Sequence, residues 1–195
     1  HHRIASSLRL AEKYPDAPSK QHVLAYAVPA SQLAIRPYHR VLRHPGWDVG
    51  RWEEAFDTVS DCLSWQRIDG GAPAPSSVGH VHVHTAEQSW ALAWNEGLQT
   101  AGAVDADLLQ EHLFQRIFGI SDARKDPRLK YAPGTLDSAG LKAEYAGQPG
   151  QALFELHSVT PEQLMHTADR GGFLPPKSTW IEPKLRSGLF IHKIQ

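Results

Sequence analysis

Residues 152–159 read ALFELHSV, and Thr160-Pro161-Glu162-Gln163 follow without a break. The first run is apolar and of strand length, so it predicts a buried β-strand. The second supplies an N-cap hydroxyl, a proline at the first helical position and a glutamine able to close a capping box, so a helix starts there. That helix is expected to reach about Arg170, where Gly171-Gly172 ends it. Upstream, Leu129 to Ala132 reads as a short strand and Asp137 to Tyr145 as a weak helix. Leu108, Leu109, His112, Leu113, Arg116 and Ile117 keep helical spacing, with Asp105 or Asp107 as cap and Gly119 near the end. Val81 and Val83 alternate with His80, His82 and His84 as in a strand, and Trp90 to Trp94 reads as its hairpin partner.

The earlier segments follow the same logic. GGAPAPSSVG, residues 70–79, is a loop of turn formers, and Asp48 to about Leu63 is periodic as a helix through Trp52, Ala55, Phe56 and Val59. Ala34 to Val41 is extended, although Pro37 argues against a central place in a sheet. His22 to Val28 reads as a strand, and Ile4 to Tyr14 as a helix stopped by Pro15. Helices and strands alternate without a regular βαβ rhythm. The expected class is therefore α+β, a mixed sheet packed with helices.

The chain has 195 residues, 41% hydrophobic and 21% charged, a globular balance rather than that of a disordered segment. Its one cysteine, Cys62, allows no intrachain disulfide, and no run approaches the length of a membrane span or of a signal-peptide core. A cytoplasmic location is expected. The net charge of −1 is unevenly spread: residues 1–45 carry seven Lys/Arg against two Asp/Glu, residues 46–176 nine against eighteen, and residues 177–195 four against one. Basic ends on an acidic body suit a small phosphate ligand better than a nucleic-acid track.

Three groups of residues carry candidate chemistry. His1-His2-Arg3 opens a helix, where unpaired N–H groups and the positive dipole end attract anions and an arginine adds a bidentate clamp. A purification-tag remnant would also place two histidines first. His39-Arg40 is a second cationic pair, able to contact phosphate or act as acid and base, or only to bond a neighbouring carbonyl and a carboxylate. Lys177-Ser178-Thr179 offers an ammonium and two hydroxyls on a loop stiffened by Pro175-Pro176, with Glu182, Lys184 and Arg186 close by. It lacks the glycine spacing of a P-loop, and each hydroxyl could equally cap a turn.

These stretches carry a resemblance. HHRIASSLRL, LAYAVPASQLAIRPYHRVLR, LLQEHLFQRIFGI and FLPPKSTWIEPKLRSGLFI resemble, in order, motifs of the C-terminal part of the bacterial domain of unknown function 1015 family. The family's Pro-x-His-Arg motif falls on Pro37, His39 and Arg40, and its closing signature on Pro175 to Thr179, Pro183, Lys184 and Ser187 to Leu189. His1-His2-Arg3 is also similar to the phosphate-binding element of the ParB and sulfiredoxin superfamily, which includes ADP-dependent free serine kinases. The resemblance implies a ParB/sulfiredoxin-like element at the N-terminal end. It further implies that residues 1–195 are the C-terminal portion of a larger protein, with a possible sub-lobe, 46–150, inserted between basic end segments 1–45 and 151–195.

The function this implies is a nucleotide-dependent phosphotransferase acting on a small metabolite, a serine-type hydroxy amino acid being the most specific candidate. ADP or ATP and Mg²⁺ are the expected cofactors, with Lys177, Arg40 and Glu182 as catalytic residues. His1, His2, Arg3, His39, Ser178, Thr179 and Lys184 would bind phosphate. The alternative is a non-catalytic nucleotide-binding switch or protein-interaction module. His80-x-His82-x-His84 is the rival signal. Neighbours two apart on a strand can share a metal, but the outer pair spans roughly 13 Å, so the preferred reading is a solvated or partner-facing strand with no metal.

Overall fold

The computed structural model describes all residues except 1, 45, 101, 185, 187, 190, 192, 194 and 195, and for His2 and Arg3 it describes the backbone alone. The expectations for the His1, His2 and Arg3 side chains and for Ser187 lie outside the described residues. The chain divides into two compact units, His1–Ala34 with Ile181–Gln195, and Ile35–Trp180. The first unit holds α1 (His2–Lys13), with Gln21 Nε2 donating to the Tyr14 carbonyl at 2.9 Å and Lys20 Nζ 4.1 Å from the centre of the Tyr14 ring. It carries seven Lys/Arg against three Asp/Glu.

Seven strands make one sheet among the described residues. They are β1 (Ala34–Arg43), β2 (Leu63–Ile68), β3 (His80–His84), β4 (Ser89–Trp94), β5 (Leu129–Pro133), β6 (Gln151–Leu156) and β7 (Thr179–Glu182). The order is β2-β4-β3-β6-β1-β5, and β7 also pairs β1. Every pairing is antiparallel, which corrects the expected mixed sheet. A parallel pair needs a long crossover, whereas β3 and β4 are joined by a tight turn in which Thr85 and Gln88 bond each other.

Alternation gives the sheet two different faces. On one, Leu42, Phe154, Val83, Trp90 and Leu92 join the main core. It is covered by α2 (Val49–Asp57), through Trp52, Ala55 and Phe56, and by a second helix, α3, over residues 105–118. The other face packs Val41, Ala132 and Leu153 against Leu141 and Ala146 of α4, residues 138–146. The helix α5 (Pro161–Asp169) has the capping box read from its sequence: Thr160 Oγ1 accepts from Gln163 N, and Gln163 Oε1 accepts from Thr160 N at 3.0 Å. No helix among the described residues is long and apolar enough to cross a membrane.

Four local expectations are corrected. His22 to Val28 forms no strand, because the segment is mostly exposed and pairs with nothing that could satisfy a ladder. Helix α2 stops at Asp57 rather than near Leu63, since Val59 to Cys62 form turns and Leu63 begins β2. β1 is central despite Pro37: its pairing with β6 starts only at Arg40, and Pro37 contributes a carbonyl, which accepts from Gly134 N at 2.9 Å. A Cβ on Gly134 would lie 2.7 Å from that carbonyl oxygen, so the approach requires glycine. Finally, neither Asp105 nor Asp107 caps α3; the N-cap is Val104, and Asp105 instead accepts from Gly79 N at 3.0 Å.

Candidate functional site

Arg40 is the centre of the site that the second unit builds. β1 carries it toward the main-core face, opposite Phe154 and Tyr131 on the neighbouring strands. Its side chain is buried at 3% exposure, and Nη1 donates to the carbonyls of Tyr38 at 2.9 Å and Lys177 at 3.0 Å. Cζ lies 4.6 Å from the centre of the Tyr131 ring. Burial lowers the guanidinium pKa to about 10, against the pull of Tyr131 and Asp107, which leaves it charged at neutral pH.

A cleft of about 420 Å³ opens beside it, lined among others by Asp107, Gln110, Arg124, Tyr131 and Pro175. Asp107 keeps much of its surface open to solvent, and desolvation still raises its carboxyl to about 6, opposed by Arg40 and reinforced by Glu111. Such a group can hold or release a proton near neutral pH. Gln110 Nε2 donates to the Ile120 carbonyl at 2.6 Å, while its Oε1 is buried without a partner among the described residues. A buried acceptor in that state favours a ligand or water that donates to it. Gln110 lies in the π-helical stretch Leu109–Phe114 of α3. Arg124 is tied to Asp122 at 3.1 Å.

The loop above the cleft explains the order Pro-Pro-Lys-Ser. Ser178 Oγ donates to the Pro175 carbonyl at 2.7 Å, and Lys177 adopts the left-handed conformation at φ 57°. Arg40 pins the carbonyl of that strained residue. The Lys177 ammonium sits 5.2 Å from the centre of the Tyr38 ring.

The sequence-derived residues are therefore only partly assembled. Arg40 and Lys177 meet, through a backbone carbonyl. Ser178 closes a turn, and Thr179 lies half-buried in β7. His39 points to the face opposite Arg40, where Nδ1 accepts from Leu156 N at 3.1 Å. Burial first, and then Arg40 and His84, lower its pKa to about 4 despite Glu155, so it is a neutral acceptor. Glu182 and Lys184 belong to the other unit, where they border a groove with Gln32 and Ala34. Asp107, Gln110 and Tyr131 were missed in this role. Asp107 reads in sequence as a helix cap, and nothing local distinguishes it.

The histidine strand also differs from expectation. His80 is exposed, His82 half-buried and His84 fully buried, so β3 is not a solvated strand. β6 pairs beside that end of it, and Ser138 of α4 bonds Glu155 there.

Solved structures to which the chain is similar include two of a free serine kinase variant, one in complex with AMP and one with ADP. Each has TM-score 0.45, 15% identity, and coverage of 78% of this chain and 55% of that one. SbnI with a C-terminal truncation, from Staphylococcus aureus, aligns with TM-score 0.42, 13% identity, and coverage of 85% and 55%. The chain thus spans about half the length of these proteins. A comparison with curated proteins found no match. A family model does match residues 1–113, more than half of the chain and including both the leading histidines and the His39-Arg40 pair, so this protein belongs to the family described as Protein of unknown function (DUF1015).

Proposed function

We propose that this chain is part of a nucleotide-dependent phosphotransferase whose acceptor is the hydroxyl of a small metabolite of serine type. The observation that carries the reading is the buried, charged Arg40 beside a polar cleft under a loop that it holds by a backbone carbonyl. In this reading Arg40, helped by Arg124, neutralises the phosphoryl oxygens. Lys177 reaches the same phosphates when the loop brings its ammonium to them. The acceptor oxygen attacks the terminal phosphorus, the bond to the leaving nucleotide oxygen breaks, and the hydroxyl proton passes to Asp107. Mg²⁺ bound with the nucleotide would supply further charge neutralisation for the phosphates, leaving Asp107 as the proton acceptor.

The second reading is a nucleotide-binding switch without turnover. It is favoured by one detail, that Arg40 spends Nη1 on two carbonyls and so couples the cleft to the conformation of the Lys177 loop. Isothermal titration of the full-length protein with ADP and ATP, followed by analysis of serine phosphorylation, separates the two. Binding with phosphoserine formation supports transfer, binding alone supports the switch, and no binding overturns both.

A further inference from the structure

The face of the sheet opposite Arg40 carries a cluster that the proposed nucleotide site does not use. β3 places His82 and His84 on that face, and the register with β6 sets Glu155 directly opposite His82. One ligand atom from each of the three lies within 4.8 Å of the others. His84 Nε2 and Glu155 Oε2 are 3.0 Å apart, and both side chains are only 1% exposed. We propose that His82, His84 and Glu155 form a binding site for a divalent transition-metal ion of the Zn²⁺ type, independent of the nucleotide cleft.

Three features beyond proximity support it. First, the donor set of two imidazoles and one carboxylate is that of three-ligand sites that keep a position open for water or substrate. Around a tetrahedral ion with ligand atoms about 2.1 Å away those atoms lie about 3.4 Å apart, so the widest pair needs to close by up to about 1.4 Å, which a rotation of the His82 ring can supply. Second, the outer partners are in place. His84 Nδ1 lies 2.8 Å from Ser89 Oγ, which fixes the ring so that Nε2 faces Glu155. Ser138 Oγ donates to Glu155 Oε2 at 2.9 Å. Metal-binding histidines and carboxylates are oriented by bonds of this kind. Third, Nδ1 of His82 is buried and has no partner among the described residues, an expensive state for a purely structural imidazole. The rings of His82 and His84 are 6.0 Å apart and nearly perpendicular.

Access also exists. Ser138 and Lys142 line a second cleft of about 420 Å³, with the Gly70 to Pro73 loop as the other wall. Lys142 Nζ is tied to the Gly70 carbonyl at 2.6 Å and to that of Ala72 at 3.2 Å, which engages the one lysine on that wall. His80 is exposed at the far end of the strand, and its Nδ1 lies 3.0 Å from Ser77 Oγ, so it falls outside the triad.

The test uses the full-length protein, stripped with a chelator and titrated with ZnCl₂ without nucleotide, with bound metal counted by mass spectrometry. One Zn²⁺ per chain is expected for the wild type and for His80→Ala. His82→Ala should weaken binding at least tenfold, and its circular dichroism should stay native because no hydrogen bond of the buried Nδ1 is lost. Ser89→Ala, which frees the His84 ring, should weaken binding by a smaller factor. Absence of stoichiometric Zn²⁺ in the wild type, or equal affinity in the wild type and His82→Ala, would overturn the site. Nucleotide titrations on the same variants are expected to be unchanged, so the two assignments can fail separately.

Discussion

Arg40 Nη1 donates to the backbone carbonyl of Lys177 across 137 positions of sequence, at 3.0 Å. The bond is charge-assisted, buried, and made to a residue in the left-handed conformation. Arg40→Ala should therefore destabilise the fold by about 1.5–3 kcal/mol, since two carbonyls lose a charged donor. Chemical denaturation measures this. Limited proteolysis should show cleavage concentrating near residues 171–178, and an unchanged cleavage pattern would refute the clamp.

His39 and Leu156 give a pH prediction. The folded His39 has its pKa lowered to about 4, while the unfolded ring titrates near 6.5. Between those values the unfolded state binds more protons, so this residue's contribution is fully present above about 6.5 and is lost as pH falls toward 4. The difference is worth about 2–3 kcal/mol. Glu155 and His84 on the same face, and Arg40 next in the chain, set the ring's electrostatic environment. His39→Gln keeps an acceptor for Leu156 N but cannot titrate. Its stability should fall less than that of the wild type between pH 7 and pH 4.5, as read from urea midpoints at the two pH values.

How much of this could be read in the sequence depends on how local each interaction is. The capping box at Thr160 and Gln163 uses residues three apart and was legible in full, as was the β3–β4 hairpin. Pro37 misled because its effect depends on which strands pair beside it, and β5 and β6 lie about 90 or more positions downstream. Arg40 and Lys177 were both legible as candidates, but the bond between them was not, because its acceptor is a backbone carbonyl and carries no residue-type signal. His82 and His84 stood out by spacing, whereas Glu155, which changes their meaning, sits within a strand whose apolar pattern hides it. Asp107 carries no local mark at all; its character comes from the cleft walls and Arg40.

Asp107 supplies a test of the transfer reading. A base with its carboxyl raised to about 6 is protonated below that value and active above it, so turnover should rise as pH increases through about 6 and then level. Asp107→Asn should lower turnover by about 10²–10⁴-fold with nucleotide affinity nearly unchanged. Steady-state rates across pH 5 to 8 measure both. A variant that retains turnover removes Asp107 as the base.

Lys177 separates transfer from binding, and its backbone must be kept out of the comparison. The left-handed conformation at φ 57° costs a non-glycine residue about 1–2 kcal/mol. Lys177→Gly relieves that cost as well as removing the ammonium, so it mixes two effects. Lys177→Met removes the charge and its contact with the Tyr38 ring while leaving the same backbone demand. If the loop brings the ammonium onto the transferring phosphoryl group, its interaction strengthens as charge develops, and Lys177→Met should lower turnover far more than nucleotide affinity. In the switch reading the contact serves the bound state alone, and no such asymmetry arises. Titration calorimetry and steady-state rates on wild type and Lys177→Met decide between them, with thermal melts confirming that the Arg40 clamp persists. Weakened binding at unchanged turnover would take Lys177 out of the chemistry and leave it as a residue of the loop that Arg40 holds.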